Sequence, residues 1–268
     1  MENRLFTRRS IIHGAALAGV AGLAVRGTGA AKAAGASGEP ATLLPTGAAT
    51  LATLSEKLAK APRRRDFKSV PMILTNPDQW DNQALQEVLN YSGGPKQVWD
   101  NTDLLGPWLN LMRLSLNSQI WSFKHPHFLI ASVTHGPAGL ALFDQSTWAK
   151  YNFSKLTKGK FKTNTFIDIP EAAHADPTDY QNPVGAFSGK ANSVTVLQKR
   201  GVVFMACHDG IWELTMHLRE KGHNPDKLSQ EELAAELTNH LIPGVILTSD
   251  VVGELVALEQ AGFTYARS

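Results

Sequence analysis

The sequence predicts an α/β fold, an open, mostly parallel sheet of about five strands with helices on both faces. Three observations carry this reading. Short apolar runs at Phe128–Val133, Gly201–Cys207 and Gly244–Thr248 have the length and branching of strands buried on both sides. Each run is followed by turn or capping residues and then by a stretch of helical spacing. Parallel neighbours need crossover segments of this kind, whereas antiparallel ones need only short hairpins.

Along the chain, Val70-Pro71-Met72-Ile73-Leu74-Thr75 reads as a first strand ending in Asn76-Pro77-Asp78, where Asn76 can cap a helix and Pro77 suits its first turn. Ala84, Leu85, Val88 and Leu89 form the apolar stripe of that helix, which Gly93-Gly94-Pro95 ends. From Asp103 to Trp121 a second helical stretch is apolar all round, so it is buried either by its own domain or by another subunit. Phe128–Gly136 gives a buried strand, and Gly136-Pro137-Ala138-Gly139 the turn after it. The polar segment 152–192, broken by Gly and Pro, has no sustained period and reads as an insertion. After the strand Gly201–Cys207, His208-Asp209-Gly210 opens a helix with Ile211, Leu214 and Leu218 on one side and Gly222 as its stop. Ser229 and Glu232 make a capping box for the next helix. The last elements are the strand Gly244–Ser249, a cap at Asp250, the helix Val251–Gln260 ended by Gly262, and a short strand Phe263–Arg267.

The amino terminus carries Thr7-Arg8-Arg9-Ser10-Ile11-Ile12, an apolar stretch to Val25 and a small-residue segment Ala30–Ala36. This order resembles a twin-arginine (Tat) export signal with cleavage near Ala31-Lys32-Ala33. It implies passage of the folded protein through the Tat translocase into the periplasm. The alternative is an uncleaved anchor, against which the apolar run is short and glycine-rich. The expected organisation is a signal peptide over 1–33, a flexible segment over 34–66 in which Leu51–Leu58 can form a short helix, and a single domain over 67–268 with insertions at about 95–125 and 152–192.

Residues 1–33 hold Arg4, Arg8, Arg9, Arg26 and Lys32 against Glu2 alone, so their removal turns a formal charge of +2 into about −2. A near-neutral mature chain offers no electrostatic footprint for nucleic acid, and Arg63-Arg64-Arg65 reads as a solvated surface run. No later stretch is apolar enough to span a bilayer, so no membrane contact is expected after cleavage. With Cys207 the one cysteine of the chain, an intramolecular disulfide is excluded.

Gly201–Cys207, Leu241–Ser249 with the helix through Val252-Gly253-Glu254-Leu255-Val256, and the ending Leu258–Tyr265 resemble the C-terminal half of DsrE/DsrF-like proteins. The strand ending in His135-Gly136-Pro137-Ala138, followed by Trp148-Ala149-Lys150-Tyr151, fits as well. The resemblance implies a flavodoxin-like domain, a role in sulfur metabolism, and a cysteine at the end of this strand that can carry a persulfide; a homo-oligomer is the expected assembly. Cys207 falls on that position. The export signal and the two insertions depart from the small cytoplasmic members.

Read from the residues, Cys207 and His208 are the candidate catalytic pair. Cys207 ends a strand ahead of a helix N-terminus, where N–H groups favour a thiolate, a persulfide or an oxyanion, and His208 can exchange a proton. Asp209 is the expected helix cap. His135, Asp209 and Asn76 are the candidate ligand-binding residues. A structural thiol is the competing reading of Cys207, with the chain a non-catalytic oligomeric or accessory module. A metal held by His135, Cys207 and His208 is a further alternative, though no spacing matches a ligand motif. His125 and His127 lie at the far end of the strand, and His174, His217, His223 and His240 fall in no ligand pattern. Neither a Gly-x-Ser-x-Gly elbow nor a nucleotide-binding glycine motif is present, and no cofactor is expected. The expected function is an exported protein that binds or relays a small sulfur species.

Overall fold

Five parallel strands form one open sheet in the computed structural model, which describes residues 42–268. They are β1 (Lys96–Asn101), β2 (Leu129–Thr134), β3 (Val203–Cys207), β4 (Ile246–Thr248) and β5 (Phe263–Arg267), in the order β4-β3-β2-β1-β5. The architecture is a flavodoxin-like α/β sheet in which the last strand takes the edge beside β1. The export signal and the cleavage segment lie outside the described residues.

Alternation along the strands divides the core in two. Ile130, Phe204, Ala206 and Leu247 face one side, while Leu129, Ala131, Val133, Val203, Met205 and Ile246 face the other. The first side is covered by α3 (Trp108–Asn117), α6 (Val194–Lys199), α7 (His208–Glu220) and α8 (Gln230–Asn239). The short helices α4 (Gln145–Lys150) and α5 (Phe153–Leu156) add Trp148 and Phe153 to this core. The second side is covered by α1 (Ala49–Lys60), α2 (Asn82–Leu89) and α9 (Val251–Gln260). Strands apolar on both faces are what such a double cover requires, and each large side chain buried there contributes roughly 1.5–3 kcal/mol.

Several sequence expectations are corrected. Residues 42–66 are not a flexible lead-in: the short helix expected at Leu51–Leu58 is present within α1, which buries Leu51 and Leu54 against the second face. Gly201 enters β3 at φ +88, and a Cβ there would lie 2.8 Å from Leu51 Cδ2, so the turn and the close approach of α1 both require glycine. The segment near 95–125 is no insertion, since it holds β1 and its crossover helix α3. Trp108, Leu109, Met112 and Leu116 of α3 are buried by the domain itself, although Leu105 and Leu114 stay exposed.

Val70–Thr75 forms no strand. Its backbone runs across α8, with the Val70 amide donating to the Glu231 carbonyl at 3.2 Å. Pro71 could not have donated to a ladder. The arginine run is equally structural. Arg63 and Arg65 donate to the Val245 carbonyl, and Arg65 pairs with both carboxylate oxygens of buried Asp81 at 3.1 and 2.7 Å. Asp81 in turn accepts from the Leu247 amide at 2.7 Å while its own amide donates to the Leu247 carbonyl at 3.0 Å. The outer edge of β4 is thereby hydrogen-bonded rather than left open. Segment 152–192 contains only short turns of helix, as its polarity predicts, and is pinned by fully buried Asn164, which donates to the Ala141 and Phe143 carbonyls at 3.0 and 2.7 Å.

Among the described residues no helix is long and apolar enough to cross a membrane.

Candidate active site at the carboxyl ends of the strands

The connection after β3 leads to α7 on one face of the sheet, and the connection after β4 leads to α9 on the other. Open α/β sheets bind ligands where the connections part in this way. Cys207 ends β3 at that point. Its Sγ accepts a hydrogen bond from the Gly210 amide at 3.3 Å and lies 3.7 Å from Asp250 Oδ1, toward which its S–H is directed. Asp250 caps α9 by accepting from the Val252 and Gly253 amides at 2.9 and 3.1 Å. The thiol thus sits between the first turns of two helices.

Those turns do not produce a thiolate. Burial pushes the Cys207 thiol above its ordinary value, and the charges of Asp250 and Asp209 push the same way against the Val251 and Gly210 amides. The residue is only 6% exposed. Desolvation therefore outweighs the helix-terminal N–H groups, and the resting side chain is a protonated thiol.

His135, just after β2, is held by a second set of contacts. Its Nε2 lies 2.9 Å from Asp100 Oδ1, and the Tyr265 hydroxyl donates to Asp100 Oδ2 at 2.9 Å. The ends of β1, β2 and β5 are joined through one carboxylate, which fixes the imidazole ring and favours a proton on Nε2. Gly136 follows at φ +53, a left-handed turn that glycine takes at little cost.

A cleft of about 280 Å³ opens between the ends of β2 and β3 and one face of α7. His135, Cys207, Gly210, Glu213 and His217 supply its polar wall, and Leu140, Phe143, Leu214 and Leu241 its apolar wall. Residues 210, 213, 214 and 217 share that helix face because they recur at intervals of three and four. A Cβ on Gly210 would stand 3.7 Å from Cys207 Sγ and 3.8 Å from His135 Cβ. The missing side chain leaves a methyl-sized gap between the thiol and the Cβ of His135.

Two strand-end residues picked from the sequence, Cys207 and His135, are therefore brought together, and three others are not. His208 is fully buried, its Nε2 donates to the Pro71 carbonyl at 2.8 Å, and it forms no part of the cleft. Burial lowers its basicity, so it is a neutral side chain that ties down the segment after Val70. Asp209 is exposed, and Cys207 rather than Asp209 caps α7. Asn76 is exposed too. It opens the single turn Pro77–Gln79, where Gln79 Oε1 accepts from the Thr75 and Asn76 amides at 2.8 and 2.9 Å. With His208 directed elsewhere, the three-ligand metal alternative loses a member. Among the described residues no group of three His, Cys, Asp or Glu side chains is arranged to hold a metal ion.

Sequence reasoning missed Asp100, Tyr265, Glu213 and the role of His217. The helical spacing from Gly210 could have found Glu213 and His217. Asp100 could be found only once β1 was recognised.

No family model, curated protein or solved structure matches the chain. Function is accordingly read from the cleft itself.

Proposed function

We propose that this chain binds a small sulfur species in the cleft and takes its outer sulfur onto Cys207, as the resemblance to DsrE/DsrF-like proteins implies. The observation that supports this reading is the gap at Gly210, flanked by the Cys207 thiol on one side and the Asp100-oriented His135 on the other. With a donor R–S–SH, the Cys207 thiol passes its proton to Asp250, and Sγ attacks the outer sulfur. The S–S bond of the donor breaks with its electron pair on R–S, which takes up the proton. The products are Cys207–S–SH and R–SH, with no net oxidation. Export by the twin-arginine route belongs to the same proposal and rests on Arg8-Arg9 and the apolar stretch behind them. In that compartment an unpaired thiol needs shielding, and its 6% exposure is consistent with that need.

A second reading draws on one observation, the use of Cys207 Sγ as the N-cap of α7. On it the chain is a non-catalytic binding module with a structural thiol. Intact-mass analysis after exposure to a persulfide donor separates the two: added sulfur on the wild type and none on Cys207→Ser supports transfer, and no addition to either supports the binding module.

A further inference from the structure

The chemistry of the cleft wall constrains what it binds, and this inference rests on the sulfur-binding reading above. Where the wall is polar it carries no lysine or arginine among the described residues. Its one carboxyl side chain is Glu213, and Asp250 lies beside the thiol at 3.7 Å. The remaining wall is hydrocarbon from Leu140, Phe143, Leu214 and Leu241. An inorganic polysulfide or thiosulfate is a small dianion. In this cleft it would exchange water for carboxylates and leucines, and since the His135 Nε2 proton faces Asp100, the imidazole of His217 is left as the side-chain donor of this wall. A dianion there meets the like charge of carboxylates at Glu213 and Asp250 and gives up part of its hydration against hydrocarbon, and both are unfavourable. An uncharged molecule with an apolar body loses little hydration and gains the burial of its own apolar surface. The volume of about 280 Å³ lies at the lower limit of small-molecule pockets.

From this wall we infer that the ligand is an organic thiol or hydropersulfide, bound in its uncharged S–H form with an apolar body against Leu214 and Leu241, and not an inorganic polysulfide. The sulfur end of such a ligand lies at the Gly210 gap, between Cys207 and His135. From the hydropersulfide, transfer then follows the balance given above, with R an alkyl or aryl group and R–SH the released product; a thiol ligand, which carries no outer sulfur, binds without transferring one.

The test uses two unreactive or slowly reacting probes on the folded protein. Benzyl methyl sulfide presents the apolar body and a neutral sulfur, while thiosulfate presents an inorganic sulfane sulfur as a dianion. Chemical-shift titration is expected to show the thioether binding at least tenfold more tightly than thiosulfate, with the largest shifts at Gly210 and Leu214. Glu213→Lys, an exposed substitution that leaves the core untouched, is expected to narrow the ratio by adding a cation to the wall. Leu214→Asn is expected to weaken the thioether alone. Equal or tighter binding of thiosulfate to the wild type, or no shifts with the thioether, overturns the inference. Failure of the parent reading looks different. If the thioether binds as stated but no donor adds sulfur to Cys207, transfer is lost and the ligand class stands. If organic and inorganic donors load Cys207 equally fast, transfer stands and the ligand class is lost.

Discussion

The Gly210 amide donates to Cys207 Sγ at 3.3 Å, so the last residue of β3 is also the N-cap of α7. A sulfur atom does here what serine or aspartate does at most helix starts. The side chain proposed to carry chemistry therefore also carries some of the stability.

That double role gives a first prediction. Cys207→Ala removes the cap and should cost about 1 kcal/mol, with a further loss from the space left at the strand end. Cys207→Ser keeps an acceptor for the Gly210 amide and should be the more stable of the two. Urea unfolding of both variants checks this, and equal midpoints would show that the cap contributes nothing.

The thiol should titrate high. Its pKa is raised by burial, with Asp250 and Asp209 adding to the effect. Since the folded value exceeds the unfolded one, the associated stability is present below the unfolded pKa and is lost as pH rises through the folded value. Alkylation by iodoacetamide, which consumes the thiolate, should rise only above the ordinary thiol range. Asp250→Asn keeps an acceptor for the cap of α9 and removes one negative charge, so it should shift the alkylation profile to lower pH.

Filling the gap should separate binding from folding. Gly210→Ala places a methyl group 3.7 Å from Sγ and 3.8 Å from His135 Cβ, within a helix where alanine is favoured over glycine by up to about 1 kcal/mol. The contact of 3.3 Å with Cys207 Cβ offsets part of that gain. Thermal stability is expected to change little, while ligand affinity measured by titration should fall at least tenfold. Unchanged affinity would place the ligand elsewhere.

Away from the site, Asp81 should be among the most sensitive carboxylates. It is 3% exposed, takes a two-pronged contact from Arg65 and accepts the Leu247 amide. Asp81→Ala leaves a partly buried guanidinium and an edge amide without their acceptor, at a cost of about 3 kcal/mol. Denaturant unfolding of this variant beside Asp66→Ala, an exposed carboxylate of the same segment, provides the comparison.

How far the sequence could be read follows from where each element stores its signal. Strands β2 and β3 are apolar on both faces and announce themselves, and Ser229–Glu232 and Asp250 mark their helices through local hydrogen bonds that the structure contains. Strand β1 is different. Of Lys96–Asn101 only Val98 and Trp99 are large apolar residues, and its polar Asn101 is fully buried because Nδ2 donates to Ser132 Oγ at 2.8 Å. A buried polar residue whose amide nitrogen is paired thirty-one positions away leaves no local trace. The site divides in the same way. Cys207 and His135 follow from the rule that ligands gather at strand ends, but His208 does not accompany its neighbour. At a strand-to-helix junction successive side chains point apart, and here one faces Asp250 and the other the Pro71 carbonyl. Asp100 and Tyr265 were hidden with β1, since only the sheet order brings β1 and β5 together.

The central claim is that the cleft delivers sulfur to Cys207, and its most direct test is the intact mass of the folded protein after incubation with an organic hydropersulfide. The account predicts one added sulfur on the wild type, removable by a reducing thiol, and none on Cys207→Ser. An unchanged wild-type mass, or equal addition to Cys207→Ser, would contradict it.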